Sequence, residues 1–265
     1  MNNSFKRIIH RIYLYLNNFK SSSVIFKLNY RVVRPLMIKY FDATYHYHGI
    51  KVVLNPTRFI DSGVIRGNDH DPIVTEYIEK LIHSKSDLFI DIGANFGLFS
   101  LIAGKKGTVY AFEHSMRENS RFYKNILSNN GSVTIFPYPA AIGKKKNETG
   151  KLFLGAESNT GTNSLVVDNG YGFVEVNFIE LGEVLNDELI KRIKLIKIDV
   201  EGFEPEVIDS IAEVLVKISH CTLIVEVTRN EGKTKNMYEL IGQCGFKPLY
   251  GVDSELDQYN EIFTK

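Results

Sequence analysis

Residues 91–97 constrain the fold of this chain more than any other segment. They read Asp-Ile-Gly-Ala-Asn-Phe-Gly and follow a short apolar run at 88–90. This order predicts a buried strand that ends in a tight turn and passes into a helix, because glycine adopts positive φ without steric cost. The next apolar run ends in Glu113, about 20 residues further on, where a Rossmann-like fold places the carboxylate that binds ribose hydroxyls. The two features together predict a nucleoside-containing cofactor.

The spacing of the glycines distinguishes between two such cofactors. The dinucleotide fingerprint G-x-G-x-x-G leaves room for a pyrophosphate, whereas this chain has Asp91, Gly93, Asn95 and Gly97 in the pattern D-x-G-x-N-x-G. A carboxylate at the turn repels a pyrophosphate but can hold an amino group. S-adenosylmethionine carries a ribose, an ammonium group and a sulfonium, and it has no phosphate. The motif therefore favours S-adenosylmethionine over NAD.

Strand and helix patterns alternate from residue 87 onward. Alternation of this kind is typical of a doubly wound α/β fold with a mostly parallel sheet, and such sheets bind ligands beyond the carboxyl ends of their strands. The predicted strands are 87–92, 108–113, 133–138, 194–200 and 221–228, and the predicted helices are 72–83, 95–105, 116–129, 204–218 and 234–243. Asp91, Glu113, Asp199 and Glu226 fall at predicted strand ends, so we expect them around one crevice.

A second block of sequence points to a family. Residues 195–208 read Leu-Ile-Lys-Ile-Asp-Val-Glu-Gly-Phe-Glu-Pro-Glu-Val-Ile. Together with residues 91–97, Ala-Phe-Glu at 111–113 and Ala-Ala-Ile-Gly at 140–143, this block resembles the FkbM family of S-adenosylmethionine-dependent methyltransferases. The resemblance extends from about residue 76 to about residue 227.

The resemblance implies roles for particular residues. The methionine end of the cofactor is lined by Asp91, Gly93, Asn95 and Gly97, the ribose is bound by Glu113, and the adenine lies beside Ala140 and Ala141. Family members methylate hydroxyl groups on sugars of surface glycans and on polyketides. The sequence departs from the family pattern at His114, where proline is common, so we expect an additional titratable group near the site.

Asp199 and Glu201 are the expected catalytic residues, since they follow an apolar strand at the point where the chain leaves the sheet. Methyl transfer requires that nucleophile, methyl group and sulfur be aligned, and a hydroxyl acceptor must also lose its proton to a base. Three alternatives remain open: Glu201 caps the following helix, His114 is the base, or Glu226 joins the two carboxylates in binding Mg²⁺. We predict no metal ion, because no pattern of histidines and carboxylates supports one.

The expected organisation is an N-terminal extension, residues 1–71, followed by a Rossmann-like methyltransferase domain, residues 72–265. Within the domain, residues 143–180 interrupt the alternation and are expected to form a substrate loop and hairpin. The polar stretch at 158–164, rich in hydroxyl and amide side chains, suits recognition of a sugar, although short polar residues also simply form turns.

A small hairpin at 45–54 and a polar turn precede the domain. Strand alternation in the hairpin predicts that His46 and His48 share one face, but no third metal ligand is nearby. Asp71 is the expected N-cap of the next helix, with a proline after it. Asp69 and His70 in the polar turn are secondary site candidates.

Residues 1–41 contain eight basic residues and no acidic residue, and their apolar residues recur at spacings of three and four. This pattern predicts an amphipathic helix. Such a helix either packs on the domain with its charges in water or attaches to an anionic membrane surface. A cytoplasmic location, with peripheral contact at the membrane face, is therefore expected. Cys221 and Cys244 are expected to be buried thiols of a reducing compartment.

The predicted function is S-adenosylmethionine-dependent O-methylation of a sugar hydroxyl in a glycan or glycolipid precursor. A nucleic-acid substrate is not expected, because the net charge is only +1 and the basic residues cluster near the start of the chain. A nicotinamide-dependent oxidoreductase and a non-catalytic binding module are the alternatives. The sequence leaves the acceptor and the oligomeric state open.

Overall fold

The computed structural model describes residues 2–18, 23–144, 148–156, 162–228, 231–249 and 258–265. The first elements are α1 (Asn3–Leu16), α2 (Val24–Leu28), a π-helical turn (Asn29–Val33), α3 (Arg34–Tyr40), β1 (Ala43–Tyr47), β2 (Ile50–Leu54), α4 (Phe59–Arg66) and α5 (Pro72–Leu81). The middle elements are β3 (Leu88–Ile92), α6 (Leu98–Gly104), β4 (Thr108–Phe112), α7 (Met116–Ser128), β5 (Ile135–Tyr138), β6 (Ala141–Ile142), β7 (Thr149–Phe153) and β8 (Phe173–Ile179). The last are α8 (Leu181–Val184), α9 (Asp187–Arg192), β9 (Ile193–Ile198), α10 (Glu204–Lys217), β10 (Thr222–Thr228), α11 (Glu231–Gln243), β11 (Lys247–Pro248) and β12 (Gln258–Thr264).

A seven-stranded sheet organises the described part of the chain. Its strand order is β11-β12-β10-β9-β3-β4-β5. The five strands from β10 to β5 run parallel, and β12 runs antiparallel between β10 and β11. The predicted α/β class with a mostly parallel sheet is confirmed. Because β3 has β4 on one side and β9 on the other, the strand order reverses there, and a crevice is expected beyond its carboxyl end.

Apolar layers cover both faces of the sheet. Alternate residues of a strand point to opposite faces, so Leu88 and Ile90 pack in one layer with α10 and α11. Phe89 packs in the other layer with α5, α6, α7 and β2. Burial on both faces explains why these strands read as nearly continuous apolar runs.

The strands and helices predicted between residues 72 and 243 are present, with ends shifted by a few residues. Helix α6 begins at Leu98 because Gly97, with φ 85°, forms its N-cap. Asp71 occupies the N-cap position of α5, but its backbone is left-handed and its side chain makes no capping hydrogen bond. The predicted N-cap position of Asp71, with a proline after it, is therefore confirmed, although the side chain does not cap the helix. Strand β12 has no counterpart among the predicted elements.

The hairpin before the domain and the insertion within it are both present. Strands β1 and β2 form the predicted hairpin, and β7 pairs with β8 within the predicted insertion. Residues 158–161 of the polar stretch and residues 145–147 lie outside the described residues. The division of the chain between residues 71 and 72 stays a prediction. Both cysteines are buried free thiols. In the described ranges, no helix has the length and apolar character needed to cross a membrane.

Candidate functional site

A cavity of about 230 Å³ lies beyond the carboxyl ends of β3, β4 and β9, beside β10. Gly93 and Asn95 line it from the turn after β3, and Glu113 lines it from the end of β4. Asp199 follows β9, and Glu226 belongs to β10. Glu201 also lines the cavity, so five of the predicted site residues meet here beside Glu226, at the point where the strand order reverses.

Asp91 lies behind the cavity and is not among the residues that line it. Its side chain is buried, and Ser100 Oγ donates a hydrogen bond of 2.5 Å to Oδ2. Its Oδ1 atom has no hydrogen-bond partner among the described residues. Burial raises the pKa of Asp91, and the ammonium of Lys197, its register partner on β9, opposes that rise. Asp91 thus supports a buried cation at the base of the site.

The two glycines of the motif have different structural roles. Both have positive φ, 83° at Gly93 and 85° at Gly97. A Cβ on Gly93 would lie 1.7 Å from the carbonyl oxygen of Asp199, whereas one on Gly97 would lie 2.0 Å from the ring of Phe122. Gly93 therefore lets the turn after β3 pack against the end of β9, at the edge of the cavity. Gly97 lets α6 pack against α7, away from the cavity lining.

Glu113 connects the turn after β3 to the end of β4. Its Oε2 accepts a hydrogen bond of 2.7 Å from the backbone N–H of Asn95, and its Oε1 accepts one of 2.6 Å from that of Ser115. Asn95 has φ 54°, a left-handed conformation that asparagine visits more readily than most residues. Burial raises the pKa of Glu113 to about 8, although both hydrogen bonds oppose this. A carboxyl group can accept further hydrogen bonds and, when protonated, donate one, so Glu113 can still bind ribose hydroxyls.

Three carboxyl groups and one ammonium form the charged side of the cavity. Oxygen atoms of Asp199, Glu201 and Glu226 lie within 4.8 Å of one another. Lys197 Nζ donates a hydrogen bond of 2.6 Å to Asp199 Oδ2. Burial disfavours the charged form of Asp199, but Lys197 and a hydrogen bond from Glu226 together outweigh burial and lower the pKa of this carboxyl.

The pKa values of the other two carboxyl groups shift in the opposite direction. Burial and the negative charge of Asp199 raise the pKa of Glu201 to about 8 and that of Glu226 to about 9. At neutral pH, Asp199 is therefore ionised, whereas Glu226 and most of Glu201 are protonated. Similar side chains are thus held in different protonation states within one site, as is common where proton transfer occurs.

The backbone turn after β9 keeps Glu201 in the cavity lining. Glu201 has φ 52° and Gly202 has φ 94°. Ser164, from the insertion, donates a hydrogen bond of 2.8 Å from Oγ to the carbonyl oxygen of Glu201. The carboxylate of Glu204, not that of Glu201, accepts hydrogen bonds from the backbone N–H groups of Gly202 and Val200. The alternative that Glu201 only caps α10 is therefore wrong.

Two histidines also line the cavity. The ring of His70 stacks on that of Phe99 with centroids 5.7 Å apart, and burial lowers the pKa of His70. Burial lowers the pKa of His114 to about 4. At neutral pH both imidazoles are uncharged, and His114 is a much weaker base than ionised Glu201.

Asp69 and the hairpin histidines lie elsewhere. His48 Nε2 is 3.0 Å from Asp69 Oδ1, and neither residue lines the cavity. His48 follows strand β1 and has φ 43°, so the alternation that would place it on one face with His46 ends before it. The prediction that these two histidines share a strand face is wrong.

The insertion and the segment after β5 complete the surroundings. Thr162 and Asn163, the last part of the polar stretch before Ser164, line the main cavity. Ala141 lines a second, smaller cavity beside it. The two cavities share three lining residues, Gly93, His114 and Val200.

Three other residues that line the cavity were not among the predicted site residues. Lys197 belongs to the block at 195–208 that resembles the family, and it is 2% exposed. Its place as a charged residue within an apolar strand was a second signal. Glu118 is buried, with Oε2 bonded to Arg121 at 2.7 Å and Oε1 without a hydrogen-bond partner among the described residues. Phe59 is 72% exposed and reaches the cavity from α4, an element that was not predicted.

The oxygens of Asp199, Glu201 and Glu226 also lie close enough together to bind one cation. Among the described residues, these three carboxyl groups form the candidate metal site. Hard divalent ions prefer oxygen ligands. However, Lys197 already neutralises Asp199, and the other two carboxyl groups carry protons at neutral pH. A cation bound here would have to displace the protons of Glu201 and Glu226 and compete with Lys197 for Asp199.

A family model described as the methyltransferase FkbM domain matches residues 91–248. A search of curated proteins found no match. Similar solved structures include Trm5b from Pyrococcus abyssi, at 14% identity over 84% of this chain and 55% of that one, with a TM-score of 0.43. This chain therefore spans just over half the length of that structure.

Two further similar structures cover most of their own chains. M. jannaschii TYW2 in complex with AdoMet is 12% identical over 84% of each chain, with a TM-score of 0.44. Precorrin-6y C5,15-methyltransferase from Geobacter metallireducens GS-15 is 14% identical over 73% of this chain and 86% of that one, with a TM-score of 0.41.

Proposed function

This chain belongs to the FkbM methyltransferase family, and from that premise we propose that it transfers the methyl group of S-adenosylmethionine to a hydroxyl group. The observation that carries the proposal is the placement of Glu201. This carboxyl lines the cavity beside ionised Asp199 and has a pKa of about 8. A general base is most effective when its pKa lies near the working pH.

The residues around the cavity suit this cofactor better than a dinucleotide. Glu113 keeps hydrogen-bonding capacity for ribose hydroxyls, and Gly93 lets the turn beside it pack against Asp199 at the edge of the cavity. Among the described residues that line the cavity, the one cation, Lys197, is already paired with Asp199, so a pyrophosphate would find no unpaired cation among them. These features oppose the nicotinamide alternative. When bound, S-adenosylmethionine would supply an electrophilic methyl group on a positively charged sulfur.

We assign the cofactor roles as follows. Glu113 would hold the ribose, Gly93 and Asn95 would border the methionine side, and Ala141 would border the adenine. Asp91 and Gly97 would act indirectly, through Lys197 and through the packing of α6.

The three carboxyl groups of the cavity would have different roles in the reaction. Asp199 remains ionised and would stabilise the positive sulfur, whereas Glu201 would accept the proton of the acceptor hydroxyl. Protonated Glu226 would donate a hydrogen bond to the acceptor oxygen or to Asp199. Proton transfer of this kind contributes about 10²–10⁴-fold to a rate.

We further propose that the acceptor is a sugar of a glycan or glycolipid precursor, handled at the cytoplasmic face of a membrane that residues 1–41 contact. Thr162 and Asn163 bring polar groups to the cavity. Val166, Val167 and Tyr171, a few residues further along, are exposed and apolar. A polar subsite followed by an apolar surface suits a sugar attached to a lipid.

Equilibrium binding and methyl transfer test the proposal. Titration calorimetry should detect binding of S-adenosylmethionine but not of NAD. Incubation with methyl-labelled donor and fractionated glycolipid should label that fraction, and Glu201→Gln should lower the rate at least about a hundredfold while donor affinity is kept. Glu188→Gln, an exposed carboxyl on α9, is the matched control. Donor binding without any methyl transfer would favour the non-catalytic alternative, and a full rate in Glu201→Gln would exclude this residue as the base.

A further inference from the structure

Helix α1 is fixed to the rest of the molecule by the side that carries its polar groups. Asn3 exchanges two hydrogen bonds with the backbone of Thr44, at 2.9 and 2.8 Å. Arg7 Nε donates to the carbonyl oxygen of Thr44 at 2.8 Å, and Lys6 Nζ donates to that of Asp42 at 2.9 Å. Two of the basic residues of α1 are therefore used to hold it in place.

A histidine and two apolar residues complete the inner side of α1. His10 is buried, with Nδ1 2.9 Å from the hydroxyl of Tyr45 and Nε2 bonded to the carbonyl oxygen of Phe41. Tyr13 and Leu14 pack in a small apolar cluster with α3. The orientation of α1 is thus set by specific polar bonds as well as by packing.

The outer side of α1 is apolar, the reverse of an ordinary surface helix. Phe5, Ile8, Ile12 and Tyr15 follow one another at spacings of three and four and are 51–65% exposed. We call these four residues the outer face of α1. Nine of the 21 large apolar side chains exposed in the described residues lie between residues 5 and 36. Concentrated exposure of this kind marks an interaction surface.

The charges of residues 1–41 indicate what kind of partner covers the outer face of α1. Residues 1–41 contain no acidic residue, and Arg11, Lys27 and Arg31 are exposed. A second copy of this chain, paired face to face about a two-fold axis, would bring the same basic residues together. An anionic membrane surface would instead attract them, and its interfacial layer would also cover the apolar residues.

We propose that the outer face of α1 lies in the interfacial layer of an anionic phospholipid bilayer, with Arg11, Lys27 and Arg31 contacting lipid phosphates. The inference deepens the membrane contact included in the proposed function. It assigns that contact to one face of one helix, and it explains why the polar side of α1 is turned toward the protein.

Vesicle flotation of the full chain tests the proposal. The protein should float with vesicles of phosphatidylcholine and phosphatidylglycerol in equal amounts, and much less with phosphatidylcholine alone. The variant I8S/I12S should lose about tenfold or more in partitioning to the anionic vesicles, because two inserted apolar side chains are removed. The variant R11Q/K27Q/R31Q should lose about a hundredfold on the anionic vesicles only.

The control variant L127S/V216S removes two apolar side chains that are 74% and 59% exposed, on α7 and α10. It carries the same helix-propensity cost and should float like the original protein. Equal flotation of I8S/I12S and the original protein would overturn the proposal. So would a lipid-free dimer in sedimentation velocity that I8S/I12S dissociates, since the face would then belong to a second copy. Donor binding by the same preparations reports separately on the proposed methyltransferase activity.

Discussion

Lys197 determines how protons are distributed among the carboxyl groups of the cavity. Its ammonium lies opposite Asp91 in the strand register and 2.6 Å from Asp199 Oδ2. Burial alone would favour the neutral form of every nearby carboxyl. One buried cation keeps Asp199 ionised, and the negative charge of Asp199 then holds protons on Glu201 and Glu226.

Replacing Lys197 with methionine should lower the free energy of unfolding by about 3–5 kcal/mol, because the buried Asp91 and the partly buried Asp199 lose their cation. Urea-induced unfolding measures this change. Lys191→Met, at an exposed position of α9, is the control and should shift stability by less than about 0.5 kcal/mol. An equally small effect at Lys197 would mean that the ion pair does not support the site.

The rate of methyl transfer should depend on the ionisation of Glu201. In the unliganded protein its pKa is raised to about 8, so kcat/KM for the donor should increase about tenfold per pH unit below that value and level off above it. A profile of kcat/KM against pH, measured at low donor concentration, tests this dependence. In Glu201→Gln the residual activity should lose the step near pH 8, whereas Glu188→Gln should keep it. A flat profile from pH 6 to 8 would exclude Glu201 as the base.

Sequence motifs predicted some of the site residues and not others, for a physical reason. Gly93, Glu113, Asp199 and Glu201 lie at strand ends or in the turns that follow, and parallel strands bring such ends together. Gly97 belongs to the same motif but contacts Phe122, a contact that depends on how two helices pack. Residues such as Glu118 and Phe59 reach the cavity only through tertiary packing, which leaves no local pattern.

At the scale of elements, order and type were predictable because periodicity and turn residues are local. The antiparallel strand β12 could not be predicted in this way, because its position between β10 and β11 depends on partners distant in the chain. The link from the insertion to the turn after β9, through Ser164 and Glu201, likewise appears only in three dimensions. It means that an inserted hairpin helps to position a proposed catalytic residue.

The packing of α6 on α7 can be tested at Gly97. Gly97→Ala should destabilise the protein by about 2–4 kcal/mol, because φ is 85° and the new Cβ would lie 2.0 Å from Phe122. Gly182→Ala is the control, since no atom lies within 4 Å of its added Cβ. Thermal unfolding measures both. If donor affinity falls more than about tenfold while stability is unchanged, Gly97 contacts the cofactor directly.

At the scale of the whole molecule, the raised carboxyl pKa values predict an unusual dependence of stability on pH. Glu113, Glu201 and Glu226 hold protons in the folded state that the unfolded chain releases above about pH 4.5. Stability from these groups is present at low pH and is lost as pH rises through about 8–9. Lowered histidine pKa values act oppositely, but only below about pH 6.5.

The free energy of unfolding should therefore fall by more than about 1 kcal/mol between pH 6.5 and pH 8.5. Urea titrations at these two values measure the change. Glu201→Gln should show a smaller fall, because one of the three ionisations is removed. Stability that is constant or rises over this interval would contradict the protonation states assigned to the cavity.

The closeness of Asp199, Glu201 and Glu226 has a consequence for each round of catalysis. A ligand with a positive sulfur lowers the pKa of nearby carboxyls, so the site should expel protons when the donor arrives and recapture them beside the neutral thioether product. Donor affinity should then strengthen with pH more steeply than product affinity, as calorimetric titrations in buffers of different ionisation heat would register. The pocket would thereby distinguish a charged ligand from its spent form by exchanging hydrogen ions with the solvent, without any movement of the backbone.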